Sequence, residues 1–290
     1  MDDKSKTLIA SIEEAIKALA QETDEAKISS VFLSFMDGMR RFHNYSFYNQ
    51  ILIYLQRPSA TQVAGFVDWQ KKFSRTVNKG EKGIAILAPI LAKYAVQRKS
   101  TQEDAEVISS ETENLYVNRC IGFRVVYVFD ISQTEGKPLP EEPNWHDTGK
   151  DPIIEAALKT FAQRKGIRVE EAVYLFGADG LSKGGLIKIL PEAGTRTLVH
   201  ELAHELLHWK YPDLKLPAKI EEIVADSTAY VVANYFHLTQ DQIASPNYLA
   251  LKNASSEDIL SCMNRIRSAS KEIIEAVEAI KGLHVPEGAG

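Results

Sequence analysis

The sequence predicts an α+β protein in which a mixed α/β N-terminal domain precedes a mostly helical domain with a small β-sheet. Apolar residues recur at helical spacing in 6–22, 26–39 and 255–281. Two runs rich in β-branched and aromatic residues, 84–88 and 119–129, indicate strands in the first half. Because helices and strands are mixed without a regular βαβ alternation, the pattern favours the α+β class.

A proline-rich stretch predicts the boundary between the two domains. Four prolines fall between Pro138 and Pro152, among glycines and charged residues. A chain of 290 residues is long enough for two domains of ordinary size. We therefore expect domains at 1–135 and 152–290, joined by a linker at 136–151.

Shorter signals place further elements in each half. Ser46 is a plausible N-cap for a helix through Leu55, and a glycine turn at Asn78–Gly83 precedes the first strand. The second domain is expected to begin with a helix at 152–165, followed by short strands at 173–176 and 186–190.

The composition is that of a globular protein, with 44% hydrophobic and 25% charged residues. No apolar run approaches the length of a membrane span, and the N-terminus lacks the apolar core of a signal peptide. The two cysteines, Cys120 and Cys262, suggest neither a disulfide framework nor a metal knuckle. These features predict a cytoplasmic protein with no membrane partner.

The strongest chemical signal is His-Glu-x-x-His at His200, Glu201 and His204. On a helix, residues four apart share a face, so the two imidazoles can bind one ion. Three of the seven histidines fall between residues 200 and 208, in a strongly apolar stretch. Buried histidines and a glutamate without partners would be costly there, so the motif predicts a Zn²⁺ site with Glu201 beside it.

The next apolar helix carries Glu222 and Asp226, which are four apart and share a face. This arrangement resembles that of gluzincins, in which a second-helix Glu binds zinc and an Asp one turn later orients a zinc histidine. The resemblance implies Glu222 as the third ligand and Asp226 as the orienting group. Glu221 points about 100° away on a regular helix and is the first rival. Asp226 as a ligand is the second rival.

The motif predicts a zinc-dependent metallopeptidase with an unknown protein or peptide substrate. Zinc at this site would lower the pKa of its bound water to about 7, and Glu201 would take that proton as general base and pass it to the leaving amine. His208, Tyr211 and Tyr230 are candidates for stabilising the oxyanion, and the sequence does not choose among them. His208 is otherwise expected beside the ligands or in a structural role. The strand 185–190 could pair with an extended peptide.

A basic block lies inside this acidic protein. Residues 38–99 contain eleven Lys or Arg against two acidic residues, a balance of +9, whereas the whole chain carries −5. Single-stranded nucleic acid is commonly held by basic grooves and stacking aromatic rings. Basic and aromatic side chains and one amide are the candidate DNA-binding residues: Arg40, Arg41, Tyr45, Tyr48, Asn49, Trp69, Lys71, Lys72, Lys79 and Lys82.

Both halves can be compared with known families. The run Tyr45–Gln50, then Trp69, the Val77–Gly83 turn and Phe129–Thr134 resemble the single-stranded-DNA-binding domain of ArdC-like antirestriction proteins. The second half resembles the ImmA/IrrE-type zinc metallopeptidase domain of the same proteins, which implies a zincin-like fold.

The resemblance implies an antirestriction factor of mobile elements that binds single-stranded DNA. Two alternatives stay open from the sequence. One is a DNA-binding protection factor whose zinc site is not catalytic. The other is an ImmA/IrrE-type protease that cleaves a repressor.

Overall fold

The structure is a computed structural model, and it describes residues 2–22, 25–96, 115–139, 151–175, 177–210, 218–238 and 254–282. Within these residues the fold is α+β. The first half consists of α1 (Asp3–Gln21), α2 (Glu25–Arg41), α3 (Phe47–Gln56), β1 (Val63–Gly65), α4 (Phe66–Lys71), β2 (Arg75–Val77), β3 (Ile84–Val96), β4 (Leu115–Asp130), a 3₁₀ turn (Ile131–Gln133) and β5 (Thr134–Gly136). The second half consists of α5 (Pro152–Arg164), β6 (Arg168–Glu171), β7 (Gly180–Ser182), β8 (Leu186–Ile189), α6 (Thr195–Lys210), α7 (Ala218–Tyr235) and α8 (Ser256–Lys281).

The described strands form three small sheets. In the first, the long antiparallel pair β3–β4 is extended by β1, in the order β1-β4-β3. β2 pairs with β5 in an antiparallel ribbon. In the third sheet, β8 lies between β6 and β7, parallel to β6 and antiparallel to β7.

Side-chain amides of α3 close the outer edge of β3. The Asn49 amide accepts from the Leu87 backbone N–H and donates to its carbonyl, at 2.9 Å each. One β-repeat away, Gln56 does the same for Ala85, at 2.9 and 2.8 Å. A strand edge normally presents unpaired N–H and C=O groups. These two amides replace a neighbouring strand and fix α3 against the sheet.

Gln133 anchors the basic turn at Asn78–Gly83. Its fully buried side chain donates to the Glu81 carboxylate at 2.8 Å and to the Lys82 carbonyl at 2.9 Å. Its own carbonyl accepts from the Asn78 N–H at 2.9 Å. Gln133 also completes a capping box with Asp130 at the 3₁₀ turn. The turn is therefore held from both ends by one residue.

One hydrophobic core runs through both halves of the chain. α2 packs on α7, and α1 and α3 pack on α8. The Arg267 guanidinium donates to the Tyr45 carbonyl at 2.9 Å, and the His43 ring lies 5.0 Å from that of Tyr235. The predicted linker lies largely outside the described residues, which lack 140–150. The two halves that the sequence separates thus pack against one another.

Most predicted elements have counterparts in the structure. The Ser46 hydroxyl accepts from the Asn49 N–H at the start of α3, which confirms the predicted N-cap. The strand predicted at 173–176 is wrong for its described part. Residues 173–175 form no strand, and Val173 and Tyr174 are exposed. The strand instead lies earlier, in β6, where its backbone pairs with β8.

None of the helices in the described part of the chain is both long enough and apolar enough to span a membrane.

Candidate metal centre and nucleic-acid surface

The structure brings His200, His204 and Glu222 together where α6 packs on α7. The Nε2 atoms of the two histidines, one turn apart on α6, are 3.1 Å from each other. Carboxylate oxygens of Glu222 lie 3.6 Å from Nε2 of His200 and 3.5 Å from Nε2 of His204. One ligand atom from each of the three residues lies within 4.8 Å of the others. Two imidazole nitrogens and a carboxylate form a donor set that fits one divalent metal ion.

Asp226 lies behind the first histidine. Its Oδ1 is 3.1 Å from Nδ1 of His200, so the carboxylate can accept from that nitrogen and leave Nε2 free towards the cluster. Burial alone would lower the pKa of His200, but the hydrogen bond to Asp226 and the neighbouring carboxylates raise it. The hydrogen bond with His200 in turn lowers the pKa of Asp226. The Arg196 guanidinium lies 3.9 Å from the same carboxylate.

Glu201 is only 7% exposed and lies against the edge strand β7. A Cβ atom at Gly180 would be 2.8 Å from both Cγ and Oε1 of Glu201, a distance that real contacts do not reach. Burial and the nearby Glu222 raise the pKa of Glu201, partly offset by the charge of His200 and the Ser182 backbone N–H. Glu201 is thus held beside the cluster because position 180 has no side chain.

Glu205 is a functional candidate that the sequence reasoning missed. It is 1% exposed and lies one turn after Glu201 on α6. Its carboxylate accepts from the Ser182 hydroxyl at 2.6 Å and from the backbone N–H groups of Gly184 and Gly185 at 2.8 and 2.5 Å. Its sequence signal is a charged residue at an otherwise apolar helix position. Glu205 therefore ties the β7–β8 turn to the helix that carries the histidines.

A cleft of about 520 Å³ opens onto the cluster, walled by β7 and by α6 and α7. Glu221 lines it beside Glu222 but is not part of the converging trio. Of the described residues that line the cleft, Arg196 is the only lysine or arginine. The cleft thus combines a trio of side chains that fits a metal ion, a buried carboxylate and one cation.

The described part of the structure does not place any of the three candidates for oxyanion stabilisation in the cleft. Tyr211 lies outside the described residues, and so does the side chain of His208, whose backbone belongs to α6. Tyr230 is not among the residues that line the cleft. Burial raises the pKa of Tyr230, and the charges next to it belong to Asp37 and Arg40 of α2. The structure therefore contradicts Tyr230 as a group of this site, because it faces α2.

The strand proposed for peptide pairing is corrected as well. β8 has β6 on one side and β7 on the other, so it has no free edge. The edge strand at the cleft is β7, whose Gly180, Leu181 and Ser182 all line it. The sequence could not show this because strand order depends on which strands pair.

Two of the candidate DNA-binding residues are structural. Trp69 is 1% exposed, and its indole N–H donates to the Phe129 carbonyl at 2.8 Å. No base can stack on a ring buried in this way, so the prediction for Trp69 is wrong. Asn49 is 8% exposed, and its amide is used by the edge of β3. The prediction for Asn49 is wrong for that reason.

Three further candidates are half-buried and engaged with the protein. The Tyr45 hydroxyl donates to the Val63 carbonyl at 3.2 Å, and burial raises the pKa of Tyr45 to about 12. Arg40 and Arg41 both pair with Asp37, at 3.0 and 2.7 Å. These contacts hold the three side chains against the protein rather than presenting them to a ligand.

The remaining candidates lie at the surface. Tyr48 is 43% exposed, and Lys71, Lys72, Lys79 and Lys82 are exposed, although Lys72 pairs with Asp68 at 3.3 Å. Exposed aromatic residues of the first half were missed: Phe66, Tyr94, Phe123 and Tyr127. Tyr127 could have been found from the sequence, because alternation along a strand turns every second side chain of β4 away from the core.

Comparison with known proteins bears on the first half most directly. Residues 2–129 match the family model described as the N-terminal domain of anti-restriction factor ArdC. An uncharacterized protein of Bacillus anthracis is 25% identical over 267 residues, covering 78% of this chain and 44% of the relative. The chain thus spans less than half of that relative's length.

Two crystal structures of the antirestriction ArdC protein from the R388 plasmid are also similar. The metal-free form is 17% identical, with a TM-score of 0.45, covering 81% of this chain and 86% of that chain. The Mn(II)-bound form has the same identity and TM-score, covering 80% and 85%. A likeness at this level assigns no role to individual residues of this chain.

Proposed function

We propose that the protein is an antirestriction factor of the ArdC type, in which a metal-dependent peptidase site is packed against a half that binds single-stranded DNA. One observation carries the peptidase part: His200, His204 and Glu222 converge beside the buried Glu201, at the mouth of a cleft. A purely structural metal site has no use for a carboxylate held in that position. The match of residues 2–129 to the ArdC N-terminal domain supports the antirestriction role.

Zinc is the metal we propose, because two imidazoles and one carboxylate with an open cleft suit its catalytic sites. The same donors also accept Mn²⁺, and the R388 protein was crystallised in a Mn(II)-bound form. Titration of the metal-free protein with each ion separately decides between the two. Nitrogen and oxygen ligands ordinarily bind Zn²⁺ more tightly than Mn²⁺. Tighter binding of Mn²⁺ by this protein would therefore reject zinc.

A divalent ion held by this trio would act as a Lewis acid towards a water molecule and a substrate carbonyl. The carboxylate of Glu201 accepts a proton from that water molecule and then donates it to the leaving amine. The raised pKa of Glu201 suits this exchange, because a group whose pKa lies nearer to the working pH both accepts and releases a proton readily. Asp226 holds the ring of His200, and Arg196 offers a positive charge to the developing oxyanion.

The substrate we propose is an extended peptide segment that runs along β7. β7 is the edge strand of its sheet, and its residues line the cleft. An exposed strand edge binds a peptide through backbone hydrogen bonds. Because Glu205 fixes the turn after β7, that edge is held in place before the substrate arrives.

A comparison of protein N-termini in cells that express wild type or Glu201→Gln tests the peptidase proposal. New N-termini that appear with wild type and not with Glu201→Gln, at equal expression and equal metal content, would identify the substrate. If the two samples show the same N-termini, the site is not a peptidase. The DNA-protection function would then remain for the same chain.

A further inference from the structure

The face of β4 that points away from the core carries exposed aromatic rings. Along β4, Val126 and Val128 pack towards the core, whereas Tyr127 and Phe123 are 48% and 39% exposed. Side chains of a strand alternate between faces, so Phe123, Tyr127 and Phe129 share the outward face. Phe66, at the start of α4, is 49% exposed, with its ring 6.2 Å from that of Phe129. We call Phe66, Phe123 and Tyr127 the aromatic face.

The basic turn at Asn78–Gly83 packs directly onto this face. A Cβ atom at Gly83 would lie 2.9 Å from Cβ of Tyr127 and 3.1 Å from Cζ of Phe129. The backbone of the turn can approach the rings this closely only because position 83 is a glycine. The backbone of Lys82, which precedes Gly83, therefore lies close to the aromatic face.

The turn carries two lysines and one acidic residue, a balance of +1. Lys79 and Lys82 are exposed, and neither forms an ion pair among the described contacts of this turn. The turn's one acidic side chain, Glu81, accepts a hydrogen bond from Gln133 at 2.8 Å. Because Gln133 is fully buried and also holds the Lys82 carbonyl, the two lysines are presented from a rigid base.

Exposed aromatic rings next to an anchored turn that carries two lysines fit one kind of partner. A flat ring stacks on a base, and an ammonium group pairs with a phosphate. Duplex DNA keeps its bases stacked on one another, so rings exposed on a sheet can stack only on unpaired bases. Residues 38–99 have a balance of +9. Although Arg40, Arg41 and Lys72 pair with carboxylates of the protein, the remaining excess of positive charge suits a polyanion.

We propose that single-stranded DNA binds across the aromatic face, with bases stacked on Tyr127 and Phe66 and phosphates paired with Lys79 and Lys82. Phe123 and Tyr127 are four residues apart, about 13 Å along the strand. Successive nucleotides of a stacked strand are about 3.4 Å apart, several times less than this length. The face is therefore long enough for more than one base. This inference rests on the proposed DNA-binding function and gives it a surface that differs from the one predicted around Trp69.

Substitution of the rings in the full-length protein tests the surface. Tyr127→Leu and Phe66→Leu remove the stacking rings but keep an apolar side chain, and Tyr127→Phe keeps the ring. Tyr174→Leu is the matched control, since Tyr174 is 67% exposed in the other half of the chain. The dissociation constant for a fluorescent oligothymidylate is measured by anisotropy over a range of salt concentrations, with the Tm of each variant as the folding control.

The leucine variants should each weaken binding by at least about fivefold, the lower bound for loss of one stacked base. Their salt dependence should stay that of wild type, because both variants keep every cation. Tyr127→Phe and Tyr174→Leu should bind like wild type. Lys79→Ala with Lys82→Ala should reduce the slope of log Kd against log salt by about 0.7 for each phosphate that is no longer neutralised.

Three other results would contradict the proposal, and each rejects a different part of it. If wild type binds the oligonucleotide and the two leucine variants bind within twofold of it, the aromatic face is not the site, while DNA binding stands. If wild type binds duplex as tightly as single strands, stacking is not involved. If wild type binds neither, the DNA-binding function itself is wrong. The exposed face then remains open to a protein partner.

Discussion

Glu221 and Glu222 are neighbours on α7, but only Glu222 places an oxygen near both histidines. Both carboxylates line the cleft, so exposure to it does not distinguish them. The difference arises from the helix, which turns successive residues about 100° apart. Helical spacing places His200 and His204 on one face and separates Glu222 from Glu221. The choice of Glu222 as the third ligand came from the resemblance to gluzincins, because spacing within one helix does not tell which face meets its neighbour.

The two glutamates give a matched pair of variants. Glu222→Ala should weaken divalent-metal binding by at least about tenfold, because one of three ligands is removed. Glu221→Ala should change the affinity by less than about threefold, through its charge alone. Calorimetric titration of both variants measures this. Equal loss of affinity in the two would reject Glu222 as the ligand.

Asp130 makes a separate contribution to stability, which depends on pH. Burial by itself would raise the pKa of its carboxyl group, but hydrogen bonds from Ser132, Thr61 and Gln62 lower the pKa below its usual value. The stabilisation is therefore complete above about pH 4, the usual pKa of Asp, and is lost as the pH falls through the folded-state pKa.

Asp130→Asn should lower the free energy of unfolding by about 1–3 kcal/mol at pH 7, because charge-assisted hydrogen bonds are removed. The difference between variant and wild type should shrink as the pH falls below about 4. Urea unfolding at several pH values measures it. A difference that is constant between about pH 3 and pH 7 would show that the charge of Asp130 does not matter.

At the scale of elements, the helices could be predicted from apolar periodicity, whereas the roles of polar residues within them could not. Asn49 and Trp69 have the side chains of ligand-binding groups, yet they bond to the backbones of β3 and β4. Such long-range contacts are invisible to local patterns, because they depend on which elements pack together. The same reason explains why β8 was mistaken for an edge strand, and why Glu205 was missed.

The contact of Glu205 with the β7–β8 turn gives a prediction at this scale. Glu205→Ala should lower the free energy of unfolding by about 2–4 kcal/mol, since a buried acceptor is removed and the amides of Gly184 and Gly185 stay unpaired. Both amides should exchange faster with deuterium. Glu275→Ala on the α8 surface is the control. Unchanged exchange at Gly184 and Gly185 would show that Glu205 does not hold the turn.

At the scale of the whole molecule, the shared core joins the half with the candidate metal centre to the aromatic face. α7 carries Glu222 and Asp226 and also packs on α2. The proline-rich stretch predicts a boundary along the chain, but it gives no information about packing between the halves on either side of it. Since the core is continuous, binding at one site should stabilise the entire described body.

Thermal unfolding tests this continuity. Metal at about a hundredfold excess over its Kd should stabilise the native state by about 2.7 kcal/mol and raise the Tm. In a variant with Trp145→Phe and Trp209→Phe, the fluorescence of the buried Trp69 reports on the first half alone. It should follow the same single transition as the circular dichroism of the whole chain. Two transitions, of which metal shifts only one, would show that the halves unfold independently.

The central claim is that α6 and α7 together form a site for one divalent ion. The most direct measurement is the number of zinc ions bound per chain, by mass spectrometry of metal content after dialysis, in wild type and in His200→Ala with His204→Ala. Glu201→Gln serves as the control that keeps all three ligands. We predict one ion per chain in wild type and in Glu201→Gln, and none in the double histidine variant. Wild type without bound metal, or a double variant that binds as much as wild type, would contradict the account.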